Sequence, residues 1–317
     1  MSRVRWALWA LLASAEALPA TTSFDAANEA SDAPGKRPTP AQVLRAQVLL
    51  ERAHFSPGEI DGRAGTNLAR ALRGWQQRNG LDVTGTLDAA TWAALNAADA
   101  EPVLVEYTIG DADVVGPFVE IPAEMKDKAA LPAMGYESAQ EALAEKFHAA
   151  PALLASLNPG TDYAAGSTIV VPSVASTPLA KAKRVVVDKS DSTVSLLGDD
   201  GNVFAQYPAT TGSEHDPLPL GEWKVQGVAS NPSFHYNPEL FWDADSTDEK
   251  ATIKPGPNNP VGVAWVDLNI PHYGIHGTPE PVTLAKTASH GCIRLSNWSV
   301  LELATAVAPG TPATLQE

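Results

Sequence analysis

At Arg184 the hydrophobic pattern of this chain changes period, and that change constrains the fold more than any other feature. Before it, apolar residues recur at helical spacing. After it they come in short runs: Arg184–Asp188, Thr193–Leu197, Val203–Tyr207, Trp223–Val228, Val261–Leu268 and Tyr273–His276. Turn signals such as Asp199-Asp200-Gly201-Asn202 and Pro255-Gly256-Pro257-Asn258-Asn259 separate them. Short runs without long helices between them predict a mainly-β, sandwich-like domain over 181–316, with one helix at 297–308. A length of 317 residues leaves room for more than one domain. The expected fold class is multidomain α+β.

Residues 39–97 predict a small three-helix module. Thr39 caps a helix opened by Pro40, with Val43, Ala46, Leu50 and Ala53 at helical spacing. Thr66 caps a second helix with Leu68, Ala71, Leu72 and Trp75 on one face, stopped near Gly80. Asp88 caps a third, carrying Trp92 and Leu95. Residues 101–175 predict a mixed α/β middle module. Ser138 and Glu141 form a capping box, Pro151 opens a further helix ended by Asn158-Pro159-Gly160, and Ile169-Val170-Val171-Pro172 reads as a strand. No opening strand is evident there. Residues 176–183 read as a linker, and 21–38, rich in Ala, Ser, Thr, Asp and Pro, as a flexible tether.

The N-terminus has the order of an export signal. Arg3 and Arg5 precede an apolar run from Trp6 to Ala13, and small residues follow at Ala15, Ala17 and Ala20. The run is shorter than the roughly 20 residues a spanning helix needs. Residues 1–20 are therefore expected to be a cleaved signal peptide, with no spanning segment afterwards and a periplasmic or cell-wall location. A buried N-terminal helix or an uncleaved anchor is the competing reading. The net charge of −15 argues against a basic phosphate-binding surface, so no nucleic-acid partner is expected.

The chain holds one cysteine, Cys292, within Ser289-His290-Gly291-Cys292-Ile293-Arg294-Leu295. An exported protein with no second cysteine forms no internal disulfide, so this thiol is either an inert buried group or a reagent. Upstream stands Ile275-His276-Gly277-Thr278. A thiol near an imidazole supplies a nucleophile and its base. His276 ends a predicted strand, from which its ring can be aimed, and titrates near working pH. The Gly277 carbonyl can orient its second nitrogen. Backbone amides of Gly291 and Cys292, with His290, can bind an oxyanion, and glycine permits the turn this needs. Arg294 can hold a carboxylate or favour the thiolate.

This HGT…SHGCIRL pattern resembles the catalytic motif of the L,D-transpeptidase (YkuD-type) family. The stretches TTGSEHDPLPLGEWKV, KPGPNNPVGVAWVDL and YGIHGTPEP extend the resemblance over about 181–316. It departs at Asn297-Trp298-Ser299, where an acid often follows. The resemblance implies Cys292 as nucleophile, His276 as base, and supporting roles for Gly277, His290 and Gly291. Substrate contacts are expected from Arg294, Ser289, Tyr273 and Trp242. It implies an acyl-enzyme on a peptidoglycan tetrapeptide stem, release of D-Ala, and cross-linking to an acceptor amine, without any cofactor. The string from Gly58 to Leu95 resembles the peptidoglycan-binding type 1 module, departing where Gly74 sits inside a helix. The order of elements in 101–175 resembles a degenerate LysM module, with a spacer that positions its neighbours as the alternative.

Other readings compete. Water as acceptor would make the protein an L,D-carboxypeptidase, and a protein amine would make it anchor an envelope protein to the wall. A non-catalytic wall-binding protein is the reading from a different class. His215, His235, His272, His276 and His290 with Cys292 raise zinc, and His272 and His276 stand at His-x-x-x-His spacing, but no Cys-x-x-Cys occurs and the acids are not placed as ligands, so no metal site is expected. His215, His235 and His272 read as structural or exposed. Residues 229–260 read as a long irregular insertion whose Phe234, Tyr236, Phe241 and Trp242 would either cover the thiol as a lid or pack on the sheet.

Overall fold

The computed structural model describes residues 24–30, 32–245 and 247–317. The expected signal peptide at 1–20 and residues 21–23 of the expected tether lie outside them. The rest of that tether is not featureless. Helix α1 (Phe24–Asn28) buries Ala27. Asn28 accepts the amides of Val103 and Leu104 and donates to the Leu104 carbonyl, so one amide side chain completes a strand end three times over.

Helices α2 (Pro40–Arg52), α3 (Thr66–Arg78) and α4 (Ala89–Ala98) form the next unit. Thr39 and Gln42 exchange side-chain bonds in a capping box, and Asp88 caps α4 through the Thr91 amide. Gly65, not Thr66, is the N-cap of α3; Thr66 already lies inside the helix. Trp75 and Trp92 are core side chains. Buried Gln76 is fully engaged: its amide donates to Thr84, Thr86 and Thr91, and its oxygen accepts the Thr84 and Gly85 amides. Gly74 has a packing reason. A side chain there would collide with Gln206 and crowd Phe55, so the glycine lets α3 lie close to the C-terminal sheet.

The middle unit opens on a strand that the sequence pattern hides. Strand β1 (Leu104–Thr108) pairs antiparallel with β2 (Thr168–Pro172). Between them come α5 (Met125–Ala130), α6 (Ala139–Lys146) and α7 (Pro151–Leu157). Ile109, Leu143, Leu154, Ile169 and Val171 form its separate core. Asn158 ties α7 to β2 by bonding both the amide and the carbonyl of Val170.

The C-terminal region departs from a two-sheet sandwich. Strands β3 (Arg184–Asp188), β4 (Thr193–Leu197), β5 (Val203–Pro208) and β6 (Gly221–Ser230) precede a small hairpin, β7 (Phe234–Tyr236) with β8 (Ala251–Ile253). Then come β9 (Ala264–Leu268), β10 (Gly274–His276), β11 (Ile293–Arg294), helix α8 (Asn297–Ala306) and β12 (Pro312–Gln316). All but the hairpin form one mixed sheet in the order β11-β10-β9-β6-β12-β3-β4-β5. The reason is β6. Its first half pairs with β12 and its second half with β9, with a register slip between Val225 and Gly227. One bulged strand thus serves what short runs in the sequence read as two sheets. The sheet then curls until its edges meet: just past β5, Thr210 exchanges backbone bonds of 3.1 and 2.9 Å with Arg294 of β11. Val300, Leu303 and Ala306 pack α8 onto this sheet.

The units touch one another through specific bonds. Ser56 and His54 bond the backbone of Gln206, His54 meets Glu302 of α8, and Asn67 donates to the Leu284 carbonyl. Asn297 donates to Glu145 of α6, and Met134 pairs with Pro255 and Asn258. Among the described residues no helix is long and apolar enough to cross a membrane.

Candidate active site

Register assembles the site. Strands β10 and β11 are parallel, with Ile275 opposite Ile293 and His276 opposite Arg294. Opposed residues in a ladder share a face and neighbours alternate. Both isoleucines point into the core, fully buried, so His276 and Arg294 turn to the other face. Cys292, two residues before Arg294, emerges on that side. On the same face β9 places Trp265 opposite His276, and the two rings stack at 5.3 Å and 10°.

His276 is buried at 4 % exposure, and its Nδ1 lies 2.7 Å from the Gly277 carbonyl. A carbonyl only accepts, so Nδ1 carries the proton and Nε2 keeps its lone pair. Burial pushes the His276 pKa down to about 4; the Arg294 charge adds to this, while the Gly277 bond opposes it. The partly buried Cys292 thiol contacts the His272 carbonyl at 3.5 Å. Burial pushes its pKa up, against the opposing pull of the Gly274 amide and the Arg294 charge. The resting pair is therefore thiol and neutral imidazole. Burial also lowers the Arg294 pKa, without discharging a guanidinium.

Gly291 makes the turn before the thiol at φ +98°, a backbone conformation that L side chains rarely adopt. A Cβ there would lie 2.8 Å from Cε1 of Tyr273. The ring of Tyr273 thus lies against the loop that carries Cys292. His290 points its Nε2 at Asp243 Oδ1, 2.8 Å away, and meets the edge of Phe241.

A cavity of about 890 Å³ joins these groups. His276, Cys292, Arg294, Tyr273, His290 and Trp265 line it, and so do Phe234, Tyr236, Leu240 and Phe241 from the insertion. The insertion is therefore not irregular throughout. Its β7–β8 hairpin contributes one wall of the cavity, and Tyr236 is fixed by donating to Asp248. Two expected substrate contacts fall elsewhere. Ser289 is buried and does not line the cavity; its hydroxyl donates to the Cys292 carbonyl at 2.6 Å and so braces the loop that carries the thiol. Trp242 does not line the cavity; it stacks on His215 at 4.2 Å. Trp265 and Asp216 are among the cavity residues that the sequence reading did not single out. Trp265 sits in an alternating run and only strand register reveals its partner; Asp216 lies in a stretch that resembles the family, but nothing in that stretch marks it as a site residue.

Comparison with known proteins gives a consistent picture. The L,D-transpeptidase catalytic domain family (YkuD) matches residues 182–315, and the family described as "Putative peptidoglycan binding domain" matches residues 39–95. A Bacillus licheniformis protein named "Putative L,D-transpeptidase YkuD" is 29 % identical over 178 residues, covering 55 % of this chain and 92 % of that protein. "Putative L,D-transpeptidase YqjB" of Bacillus subtilis is 31 % identical over 140 residues, covering 42 % of this chain and 71 % of that protein. A solved L,D-transpeptidase from Mycobacterium smegmatis is 23 % identical, covers 49 % of this chain and 69 % of that chain, and superposes with a TM-score of 0.35.

Proposed function

The chain belongs to the L,D-transpeptidase family, and from that premise we propose that it is an exported enzyme that cross-links peptidoglycan through an acyl-enzyme on Cys292. The observation that carries this reading is the parallel register of β10 and β11. It sets a thiol, an oriented neutral imidazole and a guanidinium on one face of one cavity.

The chemistry follows from those groups. A tetrapeptide stem enters with its terminal carboxylate toward Arg294. Nε2 of His276 takes the Cys292 proton as sulfur attacks the carbonyl carbon before the terminal D-Ala. The amides at Gly291 and Cys292 receive the oxyanion, in the turn that the glycine makes possible. The amide bond breaks, His276 returns the proton to the departing D-Ala amine, and a thioester remains. An acceptor amine then attacks the thioester. The C–N bond forms, the C–S bond breaks, and the sulfur regains its proton through His276. The hairpin wall limits water at the thioester, which favours amine over hydrolysis.

The peptidoglycan-binding type 1 module would hold the enzyme on its polymeric substrate and raise local stem concentration. A LysM-like role for the middle unit is supported by its antiparallel β1–β2 pair with the α6–α7 helices before β2, although α5 is an additional helix between the strands. The basic, apolar, then small-residue order of 1–20 supports export.

Mass spectrometry of products from residues 21–317 and a disaccharide-tetrapeptide, alongside Cys292→Ala, tests the reading. A dimer lacking one D-Ala, absent with the variant, is the expected result. Tripeptide alone would assign carboxypeptidase chemistry. Unchanged substrate would reject the transpeptidase on this stem.

A further inference from the structure

Three carboxylates around the cavity are either hydrogen-bonded or open to solvent. Asp243 faces His290 at 2.8 Å, Asp248 accepts the Tyr236 hydroxyl at 2.7 Å, and Glu124 is solvent-exposed. Asp216 differs. It lines the same cavity as Cys292, yet its Oδ2 is shielded from solvent and has no hydrogen-bond partner among the described residues. A buried carboxylate oxygen without a donor is unfavourable, and one kept in a substrate cavity calls for a donor that the ligand brings.

The loop is built to hold that carboxylate in place. Ser213 donates its amide to the Asp216 carbonyl at 2.9 Å, and Asp216 returns its amide to the Ser213 hydroxyl at 3.0 Å. Gly212 packs so closely on the Asp216 carbonyl that no side chain fits there, and it also bridges to Ser289, three residues before the nucleophile. Tyr273 lines the same cavity, with its ring against the loop at Gly291 that carries Cys292. Arg294 provides the opposite charge within the same cavity.

We infer that Asp216 is the receiving group for the cationic amine of the acyl acceptor, and so selects ammonium-bearing peptides over water and uncharged nucleophiles. The inference rests on the transpeptidase reading for its biological meaning, though not for its physical test. Asp216 binds and orients the ammonium. The cation releases one proton to solvent before attack. The second proton passes through His276 to the departing thiolate, as C–N forms and C–S breaks. Asp216 is a specificity residue in this scheme and takes no proton.

The test follows the rate at which iodoacetamide alkylates Cys292 in the full chain. Butylammonium is the added probe and butanol its uncharged counterpart. Butylammonium is expected to slow alkylation of the wild type while butanol at equal concentration does not. In Asp216→Asn the butylammonium concentration for half-protection should rise at least tenfold, whereas Asp216→Glu should retain protection. Asp216→Ser replaces the Asn variant if circular dichroism shows that variant unfolded. Equal protection by both probes, or unchanged half-protection on removing the charge, would overturn the assignment. The readout needs no wall peptide. Charge-dependent protection without any cross-linked product would sustain the ammonium site and reject the transpeptidase reading; cross-linking without such protection would do the reverse.

Discussion

Burial sets the protonation of the two reacting side chains before any substrate arrives. The His276 pKa is held down at about 4 and the thiol is pushed up. Alkylation of Cys292 by iodoacetamide should therefore rise steadily with pH into the alkaline range, and a plateau across neutral pH would reveal a resting thiolate–imidazolium pair instead. The same burial has a consequence for stability. The unfolded chain protonates this histidine near its ordinary value of 6.5, the folded chain only near 4, so acidification through that window favours unfolding. Relative to His276→Gln, the wild type should lose about 3 kcal/mol between those two pH values, at 1.36 kcal/mol per pKa unit, as read by urea unfolding. Equal pH dependence of the two proteins would contradict a buried neutral His276. These residues were legible because motif chemistry is local: His276, Gly277, Gly291 and Cys292 stand in two short stretches. Trp265 and Asp216 were not, because strand register and a loop's path through space, not local residue chemistry, bring them to the cavity.

At the scale of elements, the turn at Gly291 and the β7–β8 hairpin control the thiol's surroundings. Gly291→Ala meets both the left-handed φ penalty, about 1–2 kcal/mol, and the Tyr273 ring. Misplacing an oxyanion donor costs roughly 10²-fold or more, so acylation should fall by at least that factor while the far-ultraviolet spectrum stays unchanged. Near-wild-type acylation would remove the turn from the account. Replacing residues 233–253 by a short turn should raise hydrolysed product relative to cross-linked product in a quantified digest, because the hairpin forms one wall of the cavity. An unchanged ratio would leave the hairpin a packing element only. The hairpin was hidden because β7 and β8 are three residues each and fifteen apart in sequence, too short for alternation to show. The closed sheet was hidden for another reason: β6 is bulged and shared, and short runs cannot reveal that one strand serves two sets of neighbours.

At the scale of the whole molecule, the helical and middle units are docked onto the catalytic sheet instead of hanging from open linkers. Ala182, within the expected linker, is buried and bonds the Ala306 carbonyl. His54 reaches Glu302 across the boundary, and His148 of the middle unit both pairs with Glu51 and stacks on Trp298. His54→Ala strips a hydrogen-bonded partner from Glu302, a change worth about 1.5–3 kcal/mol for a bond to a charged group. Calorimetry should then resolve an early transition of the helical unit ahead of the sheet; one unshifted transition would show that docking does not depend on that pair. Domain order was legible from the change in hydrophobic period at Arg184, but docking was not, because Gly74 and Gln206 reveal their contact only once α3 and β5 are built.

The central claim is that Cys292 carries the acyl group. Intact-protein mass spectrometry after brief mixing with a disaccharide-tetrapeptide tests it most directly. The account predicts an added mass equal to the donor less D-Ala, located on the Cys292 peptide after digestion, missing in Cys292→Ala and slowed about 10²–10⁴-fold in His276→Ala. Cross-linked product formed with no adduct at Cys292, or an adduct that persists in Cys292→Ala, would contradict it.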